Sequence, residues 1–329
     1  MAINKVAAAY LAYFAYIDDG LEIVDPTDFE RLLQAVPAGT ANGPWTLAWG
    51  PAVNDGILAY VARGADGSYG LAFRGTNTDT AVSGWFQNLL VDVEPFALVP
   101  WLYPQGGSPA MALSQGTNQA LALAMGLTDP ATDASLLDFL RGLARAAPLD
   151  LLVSGHSLGG AITIAATGWL HDQLPKAGAA SFSLAAHTFA APTVWNSGFA
   201  GWFPKTFPYY GAVNANDIVP MAWNNLAGIL GTFPPPGPNL WETDKLIYGL
   251  VVTASKFVPQ YAAIAATDPL TIAPEANQTW PEEASLMHSM QFQYFPHATG
   301  TKAPDLPNTS SAGIARPSAA APRQIRPSA

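Results

Sequence analysis

Short apolar runs recur along the chain and alternate with helical or loop-like sequence. The segments 56–63 and 68–73 are rich in β-forming residues and are joined by Gly64-Ala65-Asp66-Gly67, which predicts a β-hairpin. Three later apolar runs have the composition of parallel strands that are buried on both faces. They cover residues 149–153, 181–190 and 209–213. We therefore predict an α/β fold with a mostly parallel central sheet flanked by helices.

Two apolar stretches must be distinguished from membrane or export segments. Residues 151–171 contain no Asp, Glu, Lys or Arg over about 21 residues, close to the length that crosses a bilayer. Their Ser, Gly and Thr content predicts a buried strand and helix instead, so we expect no integral membrane segment. Residues 6–17 follow Lys5 as an export signal would, but tyrosines interrupt the run and Asp18 and Asp19 follow it. We predict an amphipathic N-terminal helix there and leave the cellular location open.

The chain divides into a domain and a tail. Residues 298–329 are rich in Pro, Ser and Ala and contain Arg-Pro-Ser-Ala twice, a composition typical of a flexible segment. We therefore predict a single domain over residues 1–297, followed by this tail. Two Pro-rich segments inside the domain, 95–109 and 225–281, fit the strand and helix pattern less well. Long segments of this kind often cover functional sites.

Composition and charge exclude several classes of function. Half of the 329 residues are apolar, which is enough for one large buried core. The 24 acidic and 14 basic residues give a net charge of -10, so most of the surface repels a polyanion and we expect no nucleic-acid partner. The chain has no cysteine, which excludes disulfides, thiolate metal sites and a cysteine nucleophile. We expect neither a metal nor a cofactor.

The strongest chemical motif is the pentapeptide Gly155-His156-Ser157-Leu158-Gly159. Gly-x-Ser-x-Gly lets the chain turn so sharply between a strand and a helix that the serine hydroxyl is exposed at the strand end. The apolar strand 149–153 precedes the motif and an Ala-rich helix over 160–170 follows it. The N–H groups at the start of that helix favour negative charge beside the serine. We predict that Ser157 is a nucleophile, in preference to a Gly-rich turn without chemistry.

A serine hydroxyl needs a base to take its proton, and the usual base is a histidine held by a carboxylate. His156 adjoins the serine, where its side chain points away from the hydroxyl, and His171 lies about 20 Å along the predicted helix. His187 follows the serine without a suitable acidic residue between them, although the expected order is serine, acid, histidine. His288 and His297 remain. We predict His288 as the base, because His297 adjoins a proline and the predicted tail.

Asp217 is the predicted acid. It follows the strand 209–213 and opens a turn, so we expect it at the carboxyl edge of the sheet, where ligand sites of open α/β sheets occur. Asp244 and Asp268 have the right order but lie in the Pro-rich segment, and Asp172 lies far along the predicted helix. The alternative role of Asp217 is to cap its turn, and the serine and histidine candidates favour the catalytic role.

Acyl transfer at a serine also requires hydrogen-bond donors for the oxyanion of a tetrahedral intermediate. We predict that one donor is the backbone N–H of Leu158. The second usually comes from a loop after an earlier strand, and Phe73-Arg74-Gly75-Thr76 follows the second strand of the hairpin. We predict that the N–H of Thr76 is this donor and that its hydroxyl stabilises the loop.

Several motifs of this chain occur together, in the same order, in one family. They are Ala72-Phe73-Arg74-Gly75-Thr76, Gly155-His156-Ser157-Leu158-Gly159-Gly160, Ala190-Ala191-Pro192-Thr193-Val194, Asn216-Asp217-Ile218-Val219-Pro220, and His288 with Tyr294 nearby. Over residues from about 50 to 297 the chain thus resembles the class 3 lipases, the fungal-lipase-like family with the α/β-hydrolase fold. One departure is Thr193, where the family usually has arginine, and this difference concerns the acyl pocket rather than the catalytic residues.

The resemblance also implies a lid helix after the oxyanion loop. Five apolar residues in the corresponding stretch are spaced to form one helical stripe. They are Trp85, Phe86, Leu89, Leu90 and Val93. Such a stripe is more often core packing, but its place directly after Thr76 favours an acyl-binding lid that opens at a lipid–water interface. The sequence leaves open whether residues 225–281 form a second lid or a buttress.

By this resemblance, the function implied is that of a serine carboxylic-ester hydrolase, a triacylglycerol lipase that cleaves fatty-acyl esters through an acyl-enzyme at Ser157. Its partner would be a lipid or small-molecule ester, with transient contact to a lipid–water interface. One alternative is an esterase of other specificity, for feruloyl, phospholipid A1 or polyester substrates. Another is an α/β-hydrolase scaffold that binds an apolar ligand without catalysis, since fold alone does not establish activity. Chain length preference, regioselectivity and oligomeric state are left open.

Overall fold

A computed structural model describes most of the chain. The described residues are 4–17, 26–39, 42–75, 97–103, 110–176, 181–221, 223–229, 232, 261–274 and 280–306. Thr76, the five predicted lid residues and most of the segment 225–281 lie outside these ranges.

The strands form a large central sheet and a separate two-stranded pair. They are β1 (Trp45–Asn54), β2 (Ile57–Gly64), β3 (Tyr69–Phe73), β4 (Leu98–Pro100), β5 (Ala112–Ser114), β6 (Leu149–His156), β7 (Phe182–Phe189), β8 (Tyr209–Asn214) and β9 (Asp268–Leu270). The central sheet has seven strands in the order β1-β2-β3-β6-β7-β8-β9, and β4 pairs with β5. β2 runs antiparallel to its neighbours β1 and β3, whereas β3, β6, β7, β8 and β9 run parallel.

Helices lie on both faces of this sheet. They are α1 (Lys5–Phe14), α2 (Pro26–Gln34), α3 (Gln115–Met125), α4 (Leu136–Ala146), α5 (Leu158–Lys176), α6 (Ser197–Thr206), α7 (Leu226–Ile229), α8 (Trp280–His288) and α9 (Phe295–Thr299), with a π-helical turn at Met290–Tyr294. The predicted fold class, a mostly parallel sheet flanked by helices, is therefore confirmed. The predicted lid helix falls on residues outside the described ranges.

Alternating side chains of β6 separate two apolar layers. Leu152 packs in the layer that contains helix α1, whereas Leu151 and Val153 pack in the layer that contains α5. This arrangement explains why the strand is almost continuously apolar, as expected for a parallel strand that is covered on both faces. The predicted hairpin is also present, and Gly67 at its turn has a φ of +85°.

Helix α1 is buried around most of its circumference, which differs from the predicted amphipathic helix. Its alanines allow a close approach to the sheet, and a Cβ placed on Gly70 would lie 2.3 Å from Leu11 Cδ1. The Tyr60 hydroxyl donates to Leu11 O over 2.7 Å, and Ser154 Oγ donates to Ala8 O over 2.8 Å. The N-terminal helix is therefore an integral part of the core.

The apolar stretch 151–171 forms strand and helix, as predicted. It runs from β6 into α5, and within the described ranges no helix combines the length and apolar character that a bilayer span requires. Residues 298–306 contact the N-terminal helix, because Ala298 and Ala303 are buried and the Tyr13 hydroxyl donates to Pro304 O over 2.9 Å. The boundary between domain and tail remains a prediction, since residues 307–329 lie outside the described ranges.

Candidate active site

Ser157 occupies a sharp turn between β6 and α5. Its φ of +58° lies in the left-handed region that few residues other than glycine adopt. Glycine is required on both sides of it. A Cβ on Gly155 would lie 2.3 Å from Gly159 O, and a Cβ on Gly159 would lie 2.3 Å from Phe73 O. The motif therefore allows the strand, the turn and the helix to approach at distances that no side chain permits.

The start of α5 and the end of β3 border the serine. Leu158 is the first residue of α5, and the first N–H groups of a helix have no acceptor within the helix. Gly75 lies against the turn, because a Cβ placed on it would be 2.9 Å from Ser157 Cβ. The loop that contains the predicted oxyanion donor thus begins beside the predicted nucleophile, although Thr76 itself lies outside the described residues.

The predicted base and acid are in direct contact. His288, the last residue of α8, has its Nδ1 2.9 Å from Oδ2 and 3.1 Å from Oδ1 of Asp217. Asp217 follows β8, is fully buried, and accepts a further hydrogen bond from the backbone N–H of Val219 over 2.9 Å. Because a carboxylate can only accept, Nδ1 of His288 carries the hydrogen and Nε2 holds the lone pair.

Two further residues connect the acid to the base. The Tyr294 hydroxyl donates to Asp217 Oδ2 over 2.6 Å and accepts from the backbone N–H of Asn214 over 3.0 Å. Asn214 Nδ2 donates to Met287 O over 3.3 Å, next to the base. Burial, followed by the charge of Asp217, raises the pKa of Tyr294 well above its ordinary value, so the phenol remains a donor. Sequence reasoning noted Tyr294 only as a neighbour of the base and missed Asn214.

His156, excluded as the base, nonetheless contacts the base. Its ring centroid lies 4.5 Å from that of His288, and its Nε2 lies 2.7 Å from the backbone oxygen of His288. Its Nδ1 lies 2.6 Å from the hydroxyl of Tyr16, which follows α1. Because His156 directly precedes Ser157, these contacts place the predicted base beside the nucleophile turn. Sequence reasoning missed Tyr16, since only tertiary packing brings it here.

The other three histidines lie elsewhere. The His171 ring packs on Phe207, on the far part of α5. His187 lies within β7, and burial lowers its pKa to about 3. His297 Nε2 lies 3.1 Å from Asp268 Oδ2, so this alternative base pairs with one of the alternative acids. Across the described ranges there is also no group of three or more histidine, aspartate or glutamate side chains arranged to hold a metal ion.

Comparison with known proteins agrees with this geometry. A model of the family described as Lipase (class 3) matches residues 70–226, which include the end of β3, the Ser157 turn and Asp217. Residues 70–226 are therefore similar to the class 3 lipases, and we call them the class 3 lipase region. The resemblance predicted from the motifs is therefore confirmed, and the class 3 lipase region supports ester hydrolysis as the class of reaction. No curated protein matches the sequence significantly.

Solved structures extend the comparison beyond the class 3 lipase region. The crystal structure of M37 lipase has a TM-score of 0.77 at 21% identity, covering 91% of this chain and 94% of that chain. At this identity the similarity shows the α/β-hydrolase fold. Lipase II from Rhizopus niveus has a TM-score of 0.49 at 19% identity, covering 69% of this chain and 75% of that chain. The Rhizomucor miehei lipase in its propeptide complex has a TM-score of 0.44 at 20% identity, covering 66% of this chain and 61% of that chain.

Proposed function

We propose that the protein is a serine carboxylic-ester hydrolase that acts through an acyl-enzyme at Ser157. The observation that carries the proposal is the buried contact between His288 and Asp217 next to the strained turn at Ser157. In the first step, Ser157 Oγ attacks the ester carbonyl carbon while its proton moves to His288 Nε2. The tetrahedral intermediate then collapses, the C–O bond of the ester breaks, and His288 gives the proton to the departing alkoxide. Water hydrolyses the acyl-enzyme by the same proton transfers in reverse order.

Asp217 has two roles in this scheme. It fixes the ring of His288 with the hydrogen on Nδ1, which leaves Nε2 as the nitrogen that accepts the serine proton. It also stabilises the imidazolium that forms when Nε2 is protonated. Hydrogen bonds from Val219 and Tyr294 hold the carboxylate in one orientation, so the ring of the base is held as well.

The oxyanion is proposed to bind the backbone N–H groups of Leu158 and Thr76. Support for Leu158 comes from its place as the first residue of α5, where an N–H has no helical acceptor and the helix dipole favours negative charge. Support for Thr76 comes from Gly75, its neighbour in sequence, which lies against Ser157. Preorganised donors of this kind usually supply the largest share of stabilisation in acyl transfer.

A fatty-acyl ester is the proposed substrate, and triacylglycerol hydrolysis the proposed activity. The class 3 lipase region supports a lipid ester, and the apolar stripe from Trp85 to Val93 is proposed as the lid that covers the acyl chain. We assign the activity to one domain over residues 1–297. Contacts from both ends support this assignment, since Lys5 and His297 both bind Asp268 on the edge strand β9.

Replacement of Ser157 tests the proposal, with Ser154 as a matched control. Ser154 lies in β6 and Ser157 directly follows that strand, but the Ser154 hydroxyl binds Ala8 O in the core. We expect Ser157→Ala to hydrolyse a p-nitrophenyl ester at least about a thousandfold more slowly than the parent. Ser154→Ala should keep the parental rate and lose only stability. A Ser157→Ala protein with the parental rate would refute the proposed mechanism.

Acyl chain length distinguishes a lipase from other esterases. We expect the rate over p-nitrophenyl esters with acyl chains of about two to sixteen carbons to be highest at the long chains. A maximum at acetate or butyrate would instead indicate an esterase for soluble substrates and would remove support for the lid.

A further inference from the structure

Three hydrogen bonds link parts of the candidate site that are far apart in sequence. His156 Nε2 lies 2.7 Å from the backbone oxygen of His288, and His156 Nδ1 lies 2.6 Å from the hydroxyl of Tyr16. The Tyr16 oxygen also accepts a hydrogen bond from the backbone N–H of Gly75. The chain of contacts therefore runs from the oxyanion loop through Tyr16 and His156 to the backbone of the predicted base.

The direction of each hydrogen bond is fixed by chemistry. The carbonyl oxygen of His288 can only accept, so His156 must carry its hydrogen on Nε2. Nδ1 of His156 then holds a lone pair and accepts, so the Tyr16 hydroxyl donates to it and keeps an oxygen lone pair for Gly75. Burial, with a smaller effect of His288, keeps the pKa of His156 well below its ordinary value. The imidazole is thus neutral, in a single tautomer.

Close packing places the Tyr16 hydroxyl at the nucleophile turn. A Cβ placed on Gly75 would lie 2.3 Å from the Tyr16 oxygen, 2.7 Å from His156 O and 2.9 Å from Ser157 Cβ. Backbone and side-chain atoms of the loop, the turn and the N-terminal helix therefore meet at one point. The Tyr16 hydroxyl therefore borders both the serine turn and the start of the oxyanion loop.

The base is held at its main chain as well as at its ring. Asp217 orients the imidazole of His288 through Nδ1, at one edge of the ring. His288 is the last residue of α8, and the π-helical turn Met290–Tyr294 follows it after Ser289. The hydrogen bond from His156 holds the carbonyl of this same residue, which fixes the ring from the main-chain side.

We infer that Tyr16 and His156 are positioning residues, which hold the base His288 and the oxyanion loop at Gly75 in a fixed relation to Ser157. This inference rests on the proposed function, because positioning has meaning only if these groups act on an ester. In this account the N-terminal helix α1 completes the active site through the residue that follows it. Neither Tyr16 nor His156 exchanges a proton with the substrate.

Three variants test the inference, and Tyr13→Phe is their matched control. Tyr13 lies on α1, the helix that precedes Tyr16, and its hydroxyl donates to Pro304 O, away from the site. We expect Tyr16→Phe and His156→Leu to lower kcat by about tenfold to a hundredfold, since a misplacement of about 1 Å has effects of this size. KM should change less than threefold. His156→Gln retains an amide N–H for the carbonyl of His288 and should recover a measurable part of the loss relative to His156→Leu.

The outcomes are separable. Values of kcat for Tyr16→Phe and His156→Leu within twofold of Tyr13→Phe would overturn the inference, as would equal rates for His156→Gln and His156→Leu. If His156→Leu does not fold, the kcat of Tyr16→Phe relative to that of Tyr13→Phe tests the inference alone. Melting temperatures then show whether these two variants are equally stable. Failure of the proposed function has a different signature, because Ser157→Ala would then keep the parental rate whatever the positioning variants do.

Discussion

The Tyr294 hydroxyl lies 2.6 Å from Oδ2 of Asp217, the carboxylate oxygen that also faces the imidazole of the predicted base. The phenol and the imidazole thus share one acceptor atom in a fully buried setting. A carboxylate that accepts hydrogen bonds from several directions is held in one orientation. Tyr294 therefore holds the carboxylate of Asp217 in place, and the carboxylate in turn orients the imidazole of His288.

Tyr294→Phe should weaken catalysis without abolishing it. Loss of a hydrogen bond to a charged group is worth about 1.5–3 kcal/mol, and we expect part of it to appear as a fall in kcat of about three- to tenfold. Tyr209→Phe is a suitable control, because its hydroxyl contacts Thr188 Oγ1 within the core. Steady-state kinetics of both variants check this expectation. Equal kcat values would show that Tyr294 contributes to stability alone.

Asp217→Asn should be far more damaging. An amide in place of the carboxylate favours the wrong tautomer of His288 and removes the charge that stabilises the imidazolium, so kcat should fall by about three to four orders of magnitude. Asp268→Asn provides the contrast, since Asp268 pairs with Lys5, Tyr210 and His297 at the edge strand. This second variant should lose stability and keep kcat within a few fold of the parent. Comparable losses of kcat in both variants would contradict the assignment of the acid.

Because His187 is buried, we expect the folded protein to lose stability in acid. Burial lowers its pKa from 6.5 to about 3, and neither ring nitrogen has a hydrogen-bond partner among the described residues. The unfolded chain therefore binds a proton more readily than the folded chain, so this stability is complete above about pH 6.5 and is lost as the pH falls toward 3. His187→Phe keeps an aromatic ring beside Tyr210 and should flatten the pH dependence of the free energy of unfolding over this window. Denaturant titrations at pH 7, 5 and 4 measure it, and parallel curves for variant and parent would refute it.

Gly159→Ala should disrupt the nucleophile turn. The new Cβ would lie 2.3 Å from the carbonyl oxygen of Phe73, and backbone cannot rotate away as a side chain can. We expect a destabilisation of about 1–3 kcal/mol or more. Gly142→Ala is the matched control, because nothing lies within 4 Å of its Cβ position in helix α4, and alanine there should stabilise by about 0.5–1 kcal/mol. Thermal unfolding distinguishes the two, and a neutral Gly159→Ala would mean that the turn tolerates a side chain.

Local patterns in the sequence were sufficient for much of the fold. The hairpin, the three parallel strands and the turn at Ser157 follow from apolar runs and glycine positions. These patterns involve only residues that are close together in the sequence. Strand β9 was missed because Asp268-Pro269-Leu270 is short, contains a proline and lies in a Pro-rich segment. Strand β1 was missed because its run includes Gly50 and Pro51, which interrupt a β pattern.

The site was predictable where chemistry restricts the choice. Elimination among few candidates in a required order predicts Asp217 and His288, and the structure brings their side chains together. The contact of Tyr16 with His156 spans 140 positions and depends on how α1 packs across the sheet. No periodicity or spacing encodes that packing, so the sequence alone assigns His156 no role beside the base.

Covalent labelling tests the central claim most directly. A fluorophosphonate forms a stable bond with an activated serine hydroxyl, and mass spectrometry of the digested protein identifies the labelled residue. We expect one label per chain, located on Ser157, with the labelling rate reduced strongly in His288→Ala and unchanged in Ser154→Ala. A folded protein that remains unlabelled, or one labelled at another serine, would contradict the account.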